Sequence, residues 1–215
     1  LTAMKMIEKR PRGRPRALDR DEALETALQL FWRHGYEGTS IADLTAAMGV
    51  TPPSLYTAFG SKERLYQEAL DRYGASYGSF TARALAEEPT ARRAVERILQ
   101  ESVAVYSEGP APRGCMLASG AVTCAPEHTL VVADLSRRRV ATIAAIKARF
   151  DRAVIEGELA PSTDTEALAA FYAAVVQGLS IQARDGVERD VLDAVATTAL
   201  SAWPGEATSD RHPES

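Results

Sequence analysis

The sequence predicts an all-α protein of about nine helices, in which a small three-helix head precedes a larger helical body. Three observations carry this. Apolar residues recur at three- and four-residue spacing along most of the chain, the mark of helices with one buried face. No segment shows a convincing strand-like alternation. Ser, Thr or Asp at helix starts and Gly or Pro at helix stops cut the pattern into discrete pieces. With 215 residues, 46% hydrophobic and 25% charged, composition is that of an ordinary globular protein, which excludes disordered, collagen-like and disulfide-scaffold classes. The length suffices for a substantial core.

The first helix is expected over 19–34. Asp19 is its cap, Glu22 follows at capping-box spacing, Ala23, Ala27, Leu30 and Phe31 form its stripe, and Gly35 suits the residue after its end. Thr39-Ser40 opens a short helix through Met48, with Ile41, Leu44 and Ala47 inward and Gly49 as its stop. Thr51 opens the next, with Pro52 at the first helical position, where a missing N–H costs nothing. That segment ends at Phe59 and Gly60. Ser61 caps a fourth helix that runs from Lys62 to about Ala86, with Gly74 and Gly78 as points where it could bend or break.

Further helices are expected over 90–108, 115–124, 127–156, 164–183 and 188–203, with a Pro-containing loop at 109–114. The expected division is an arm at 1–18, a head at 19–64, a body at 65–203 and a disordered tail at 204–215. There is no internal repeat.

The formal charge of −4 is unevenly spread. Residues 1–16 hold six bases (Lys5, Lys9, Arg10, Arg12, Arg14, Arg16) against one acid, Glu8, whereas residues 65–215 hold fifteen bases and twenty-one acids. A basic arm on an acidic body points either to an anionic partner for the arm or to a solubilising tail. The longest unbroken apolar run, residues 167–176, is far shorter than a membrane span. The basic N-terminus has no apolar stretch behind it, so no secretory signal is expected; Leu1 in place of Met points to Met4 or Met6 as the start. Cys115 and Cys124 show no framework spacing. Together these features predict a reduced, cytoplasmic protein without membrane contact.

A capped helix, a turn on Gly49 and a second short helix from Thr51 make a helix-turn-helix, which offers the N-terminal residues of its second helix to the DNA major groove. Residues 20–66 resemble the DNA-binding domain of TetR/AcrR-type transcriptional regulators. The residues that carry the resemblance are Leu28, Phe31, Gly35-Tyr36, Thr39-Ser40-Ile41, Gly49-Val50, Leu55-Tyr56, Phe59 and Ser61-Lys62-Glu63. The rest of the chain is similar to that family in length and pattern only.

The resemblance implies a repressor that binds double-stranded operator DNA as a homodimer and is released by a small-molecule effector, with no enzymatic activity, cofactor or metal. The DNA-contacting set it implies on the head is Thr39, Ser40, Thr51, Pro52, Ser54, Tyr56, Thr57 and Lys62. Tyr56 and Lys62 would meet phosphates, and Thr51, Ser54 and Thr57 would face base edges or nearby phosphates. Packing of Tyr56 against Phe31 is the competing role for that ring. Two departures stand out. Pro53 replaces a small flexible residue and, with Pro52, removes two N–H donors from the helix start; Ala58 stands where many members have His or Tyr. On the arm, Pro11-Arg12-Gly13-Arg14-Pro15 resembles an AT-hook core, so Arg12, Arg14 and Arg16 join the set as minor-groove readers or as a plain electrostatic tether.

In the body, the 164–183 helix is apolar nearly all round, which demands burial on both sides. Either it is a deeply buried core helix or its second side meets another subunit. The expected interface is Phe171, Val175, Leu179, Leu192, Val195 and Ala199. An effector pocket, implied by the resemblance, is expected to be lined by Leu99, Val103, Tyr106, Met116, Val140, Ile143 and Phe171, residues that a plain core would also use. Cys115, Cys124 and His128 are read as inert, because nine-residue spacing would put the thiols on opposite faces of one helix. No HExxH, P-loop, GxSxG or dinucleotide fingerprint occurs; the rival classes are a motif-less helical enzyme and a non-regulatory DNA-architectural protein.

Overall fold

The computed structural model describes residues 18–109, 111–120, 124–125 and 128–204. Among these there are ten helices and no strand: α1 (Arg20–His34), α2 (Ile41–Met48), α3 (Pro52–Phe59), α4 (Lys62–Ala75), α5 (Phe80–Glu87), α6 (Ala91–Ser107), α7 (Met116–Ser119), α8 (Thr129–Ile155), α9 (Thr165–Arg184) and α10 (Arg189–Ser201). The count exceeds nine because the expected fourth helix is broken. Each interior glycine costs a helix about 1 kcal/mol relative to alanine, and here two fall within five residues. The Tyr73 carbonyl takes the amides of Ser76 and Gly78 instead of continuing the helix. α7 is a single turn, much shorter than the expected 115–124 helix.

The caps explain the other boundaries. The Asp19 carboxylate accepts the amides of Asp21 and Glu22 at 3.0 and 3.2 Å. A complete capping box forms at Ser40 and Asp43, and Ser61, Thr90 and Asp164 each hold an amide of the following turn. Gly49 takes the left-handed conformation (φ 68°, ψ 30°) that turns α2 into α3. Gly35 is more unusual: φ 72° with ψ 177° is a region essentially confined to glycine.

Two cores organise the molecule. In the head, α1 crosses α4 over Leu28, Phe31, Trp32, Tyr36, Leu44, Leu55, Leu65, Tyr66 and Tyr73, all but wholly buried. This core runs on through Tyr73 and takes in Met116, Val131 and Leu135, so the expected head–body border at residue 64 passes through a helix of the head. The second core joins α5, α6, α8, α9 and α10 around Leu99, Val103, Phe150, Tyr172 and Leu192.

The segment around α7 ties head to body. Trp32 Nε1 donates to the Gly114 carbonyl at 2.9 Å, and the Tyr36 amide donates to the Gly120 carbonyl at 3.0 Å. From α9, Arg184 donates to the carbonyls of Trp32 and Arg33 at the end of α1.

Candidate functional site

α3 is built to be held from one side and read from the other. Leu55 and Phe59, four apart and both buried, anchor it to the head core. Thr51, Pro52, Pro53, Ser54, Tyr56 and Thr57 are exposed, and α3 carries no charged side chain. Thr51 sits at the N-cap position but makes no side-chain cap bond, and Pro52 and Pro53 leave the first two helical positions without amides. Its hydroxyl lies instead 3.0 Å from that of Ser54, so two hydroxyls stand together at the start of the helix. The Thr57 hydroxyl donates to the Pro53 carbonyl at 2.8 Å, which leaves its oxygen lone pairs free to accept.

Tyr56 is 46% exposed. The competing role for it fails, since Phe31 is enclosed by Tyr36 and by Tyr66, the latter edge-on at 4.9 Å between ring centroids. Ser40 is exposed, its hydroxyl held to the Asp43 carboxylate at 2.6 Å. Thr39 requires a correction. It is fully buried, and its hydroxyl donates to the Gly35 carbonyl at 2.8 Å, so it shapes the turn after α1 and offers DNA no side chain. Arg12, Arg14 and Arg16 lie outside the described residues.

Lys62 occupies the first position of α4, half-buried, with its Nζ 4.1 Å from the centroid of the Tyr36 ring. Partial burial holds its pKa below the usual lysine value, while Glu37 and Glu63 pull it back up. The Tyr36 hydroxyl donates to Glu63 at 2.8 Å, and the Ser61 hydroxyl, foremost, holds that carboxylate below the ordinary glutamate range. The expected set omitted Arg64. It is exposed beside Gly60 and makes no ion pair among the described residues. Its place one turn into α4, next to the end of α3, was readable from the sequence; that it stays free of a carboxylate was not.

A partly open cavity of about 90 Å³ is lined by residues of α4 to α9. Of the expected lining, Tyr106 and Ile143 are present. Leu99, Val103 and Met116 are buried in the two cores away from it, Val140 is 61% exposed, and Phe171 faces outward at 41% exposure. The sequence reading missed Tyr73, Phe80, Cys115, Leu117, Ile146 and Ala173, because the break between α4 and α5 and the one-turn α7 bring them there. Cys115 and Cys124 lie on either side of α7, not on one helix; burial, and then Glu37, pushes the Cys124 thiol up.

The expected interface is also divided. Leu179, Leu192 and Ala199 are buried within the chain's own core, because on α9 and α10 they face α6 and each other. Val175 and Val195 are half-buried, and Phe171 is exposed. The outward face of α9 runs through Ala167, Ala170, Phe171, Ala174 and Ile181, and that of α10 through Val191 and Ala194. No described helix is long and apolar enough to cross a membrane.

Known proteins match both parts. Residues 23–69 match the family model described as bacterial regulatory proteins, tetR family, and residues 89–199 match the tetracyclin repressor-like C-terminal domain. The HTH-type transcriptional repressor ComR of Escherichia coli (strain K12) is 34% identical over 197 residues, which cover 91% of this chain and 94% of ComR. BdcR, an HTH-type transcriptional repressor of the same strain, is 28% identical over 88% of this chain and 91% of its own. Among solved structures, a cysteine-substituted form of the TetR family transcriptional regulator CifR, complexed with 26 bp double-strand operator DNA, superposes with a TM-score of 0.85 at 48% identity. That match covers 89% of this chain and all of the other. Head, body and their order in the chain thus agree with one family throughout, and the protein belongs to the TetR family of bacterial transcriptional regulators.

Proposed function

We propose that this protein is a homodimeric repressor that reads a pseudo-palindromic operator with α3 and leaves it when a small molecule occupies the body. The observation that carries the reading is the outward face of α3. Thr51, Ser54, Tyr56 and Thr57 are all exposed on a helix pinned from behind by Leu55 and Phe59, with no charge of its own to bias it toward one phosphate. Uncharged hydroxyls of this kind suit base edges and bridging waters, while Tyr56, Lys62 and Arg64 supply contacts to the phosphates that set register. Lys62 must leave the Tyr36 ring to do so, a small movement for a side chain whose first atoms are already placed by α4. The arm, with Arg12, Arg14 and Arg16, extends the contact into an adjacent minor groove.

The dimer rests on the outward apolar faces of α9 and α10, whose small residues allow close helix approach. Two-fold symmetry then spaces the half-sites by one DNA turn, roughly 34–36 Å, or a multiple of it. The effector site is the 90 Å³ cavity, whose α7 wall is continuous with the bonds from Gly114 and Gly120 to the end of α1. A ligand that favours one arrangement of α7 shifts the head only through its differential affinity for the two states. The reading assigns no catalysis to the chain and places it in the cytoplasm.

Selection of bound sites from random DNA tests it. The expected result is one inverted-repeat site. Against that site Tyr56→Ala binds roughly tenfold more weakly, as loss of a hydrogen bond to a charged oxygen requires, and it weakens binding to random DNA equally. Unselective coating of DNA, or a changed base preference in the variant, sinks the assignment.

A further inference from the structure

Three helices of the head meet at one side chain that the DNA-contacting set leaves out. Arg20 opens α1, and its guanidinium reaches both the end of α3 and the middle of α4. Nη2 donates to the two carboxylate oxygens of Glu68 on α4, at 2.8 and 2.6 Å. Nε donates to the Ala58 carbonyl in the last turn of α3 at 3.4 Å. The Cζ atom stands 4.7 Å from the centroid of the Phe59 ring, the buried anchor of α3.

The place of this cation is informative, because α1 itself gains nothing from it. The N-terminus of a helix is its positive end, where acids are favoured and bases are not. α1 follows that rule at Asp21 and Glu22 and breaks it at Arg20. α3 shows the complement. Its C-terminus is a negative end, yet its own last turn carries no base. The carbonyls of Tyr56 and Phe59 take the amides of Gly60 and Ser61, whereas that of Ala58 takes the Arg20 guanidinium. α1 thus supplies the cation that α3 lacks. Glu68 keeps it there through a two-point bond that fixes the plane of the guanidinium as well as its distance.

The other anchors of α3 need this help, since they share one face. Leu55 and Phe59 lie four apart, and two points leave a helix free to roll about the line that joins them. A roll of about 10° moves a side-chain tip on the far side of the helix, about 10 Å away, by about 2 Å. That is enough to break a hydrogen bond to a base edge.

We infer that Arg20 is a positioning residue for operator recognition: held by Glu68, it fixes the roll of α3 through Ala58 and Phe59 and so sets which base edges Thr51, Ser54 and Thr57 meet. The inference rests on the reading of α3 as the base-reading helix. Arg20 acts on DNA through α3, and Glu68, which as an anion has no place at a phosphate, shares its task.

The test measures binding of the full chain and of Arg20→Ala, Arg20→Lys and Glu68→Gln to two DNAs over a range of salt. One is the site that wild type selects from random sequence, the other a random duplex. Each variant should lose roughly five- to tenfold in affinity for the selected site and less than about twofold for random DNA. The ratio of the two affinities decides the matter. A variant that is merely less stable loses both in proportion to its unfolded fraction and keeps the ratio. Lysine separates charge from shape: it can replace arginine at a phosphate, but its single nitrogen cannot hold the Ala58 carbonyl and both Glu68 oxygens together. An unchanged ratio in Arg20→Ala and Glu68→Gln overturns the inference. So does a loss shared by both DNAs with a shallower salt slope, which would make Arg20 a phosphate contact, or several-fold tighter binding of Glu68→Gln to both. If wild type selects no site, the regulator reading fails and takes the inference with it; if it selects one and the ratio holds, the role of Arg20 alone fails.

Discussion

Head and body are both all-helical and capped by the same kinds of residue, yet their interiors differ in kind. The head core is filled by large rings: Phe31 meets Tyr66 edge-on at 4.9 Å, Trp32 meets Tyr73 at 4.9 Å, and Tyr36 meets Tyr66 at 5.1 Å. The body core is thinner. Ala84, Ala91, Ala153, Ala169, Ala183 and Ala196 occupy buried positions there, a cavity remains beside it, and apolar residues of α9 and α10 face outward. The head core is thus filled by rings, completed by Met116, Val131 and Leu135 from α7 and α8, while the body leaves a cavity and an outward apolar face, the features on which the proposed effector and dimer rest. A part that must present one rigid surface to DNA gains from a full core; a part that must respond to a ligand gains from one that is not full.

The sharpest way to break the contrast is to empty the head. Phe31→Ala removes a fully buried ring with aromatic neighbours on two sides and should cost about 3–5 kcal/mol of stability, enough to abolish DNA binding at 37 °C. Chemical denaturation followed by tryptophan fluorescence measures it. A loss near 1 kcal/mol would mean that the head can collapse onto the gap and is no better packed than the body.

The body side of the contrast is tested through the proposed dimer, in which a second copy covers α9. Ala174→Glu places a carboxylate on the outward face, where two-fold symmetry presents it twice. Each unpaired, desolvated polar group costs about 1–3 kcal/mol, and a charge more, so the dimer constant should fall by at least 10²-fold while the protomer keeps its helix content. Sedimentation equilibrium reads the first quantity and circular dichroism the second. A monomeric wild type, or an unaffected dimer, would move the interface elsewhere.

Between the two regions stands Gly35. Its φ of 72° with extended ψ excludes side chains, and a Cβ there would lie 3.1 Å from the Gly120 carbonyl oxygen. Gly35→Ala should therefore cost about 1–3 kcal/mol and loosen the contact of α1 with the segment after α7. The expected signature is a lower melting temperature together with faster amide exchange at Tyr36, whose N–H that carbonyl holds. Unchanged exchange would show that head and body are not joined through this turn.

What the sequence made legible follows the same division. Helix boundaries in the head are set by neighbours in the chain, such as Asp19, Ser40, Gly49 and Ser61, and these were readable. Thr39 was not, because its burial depends on the glycine-only turn at Gly35 that folds it under α1. In the body, Leu179 and Phe171 share one apolar helix and look alike in sequence. Only the positions of α6 and α10 decide that the first is core and the second surface. The cavity was least legible of all, since it arises where a helix breaks after Tyr73 and where α7 stops after one turn, and half its walls lie far apart in sequence.

The smallest effect tests whether local capping carries weight in a head already closed by its core. The Ser40 hydroxyl accepts the Asp43 amide at 3.1 Å, and the Asp43 carboxylate accepts the Ser40 amide at 2.9 Å and its hydroxyl at 2.6 Å. These bonds, the hydroxyl's foremost, hold the Asp43 carboxyl below its ordinary value. A group whose pKa is depressed by folding contributes stability above its unfolded pKa, and that contribution is lost as pH falls through the folded one. Ser40→Ala should cost about 1 kcal/mol at neutral pH. The gap between wild type and variant should narrow as pH falls below about 4, because protonated Asp43 no longer receives those bonds as an anion. Melting curves from pH 7 to pH 3 measure both quantities. A gap constant across that range would mean that the bond from the Asp43 amide to the Ser40 hydroxyl carries the whole cap, and that the Asp43 carboxylate adds nothing to it.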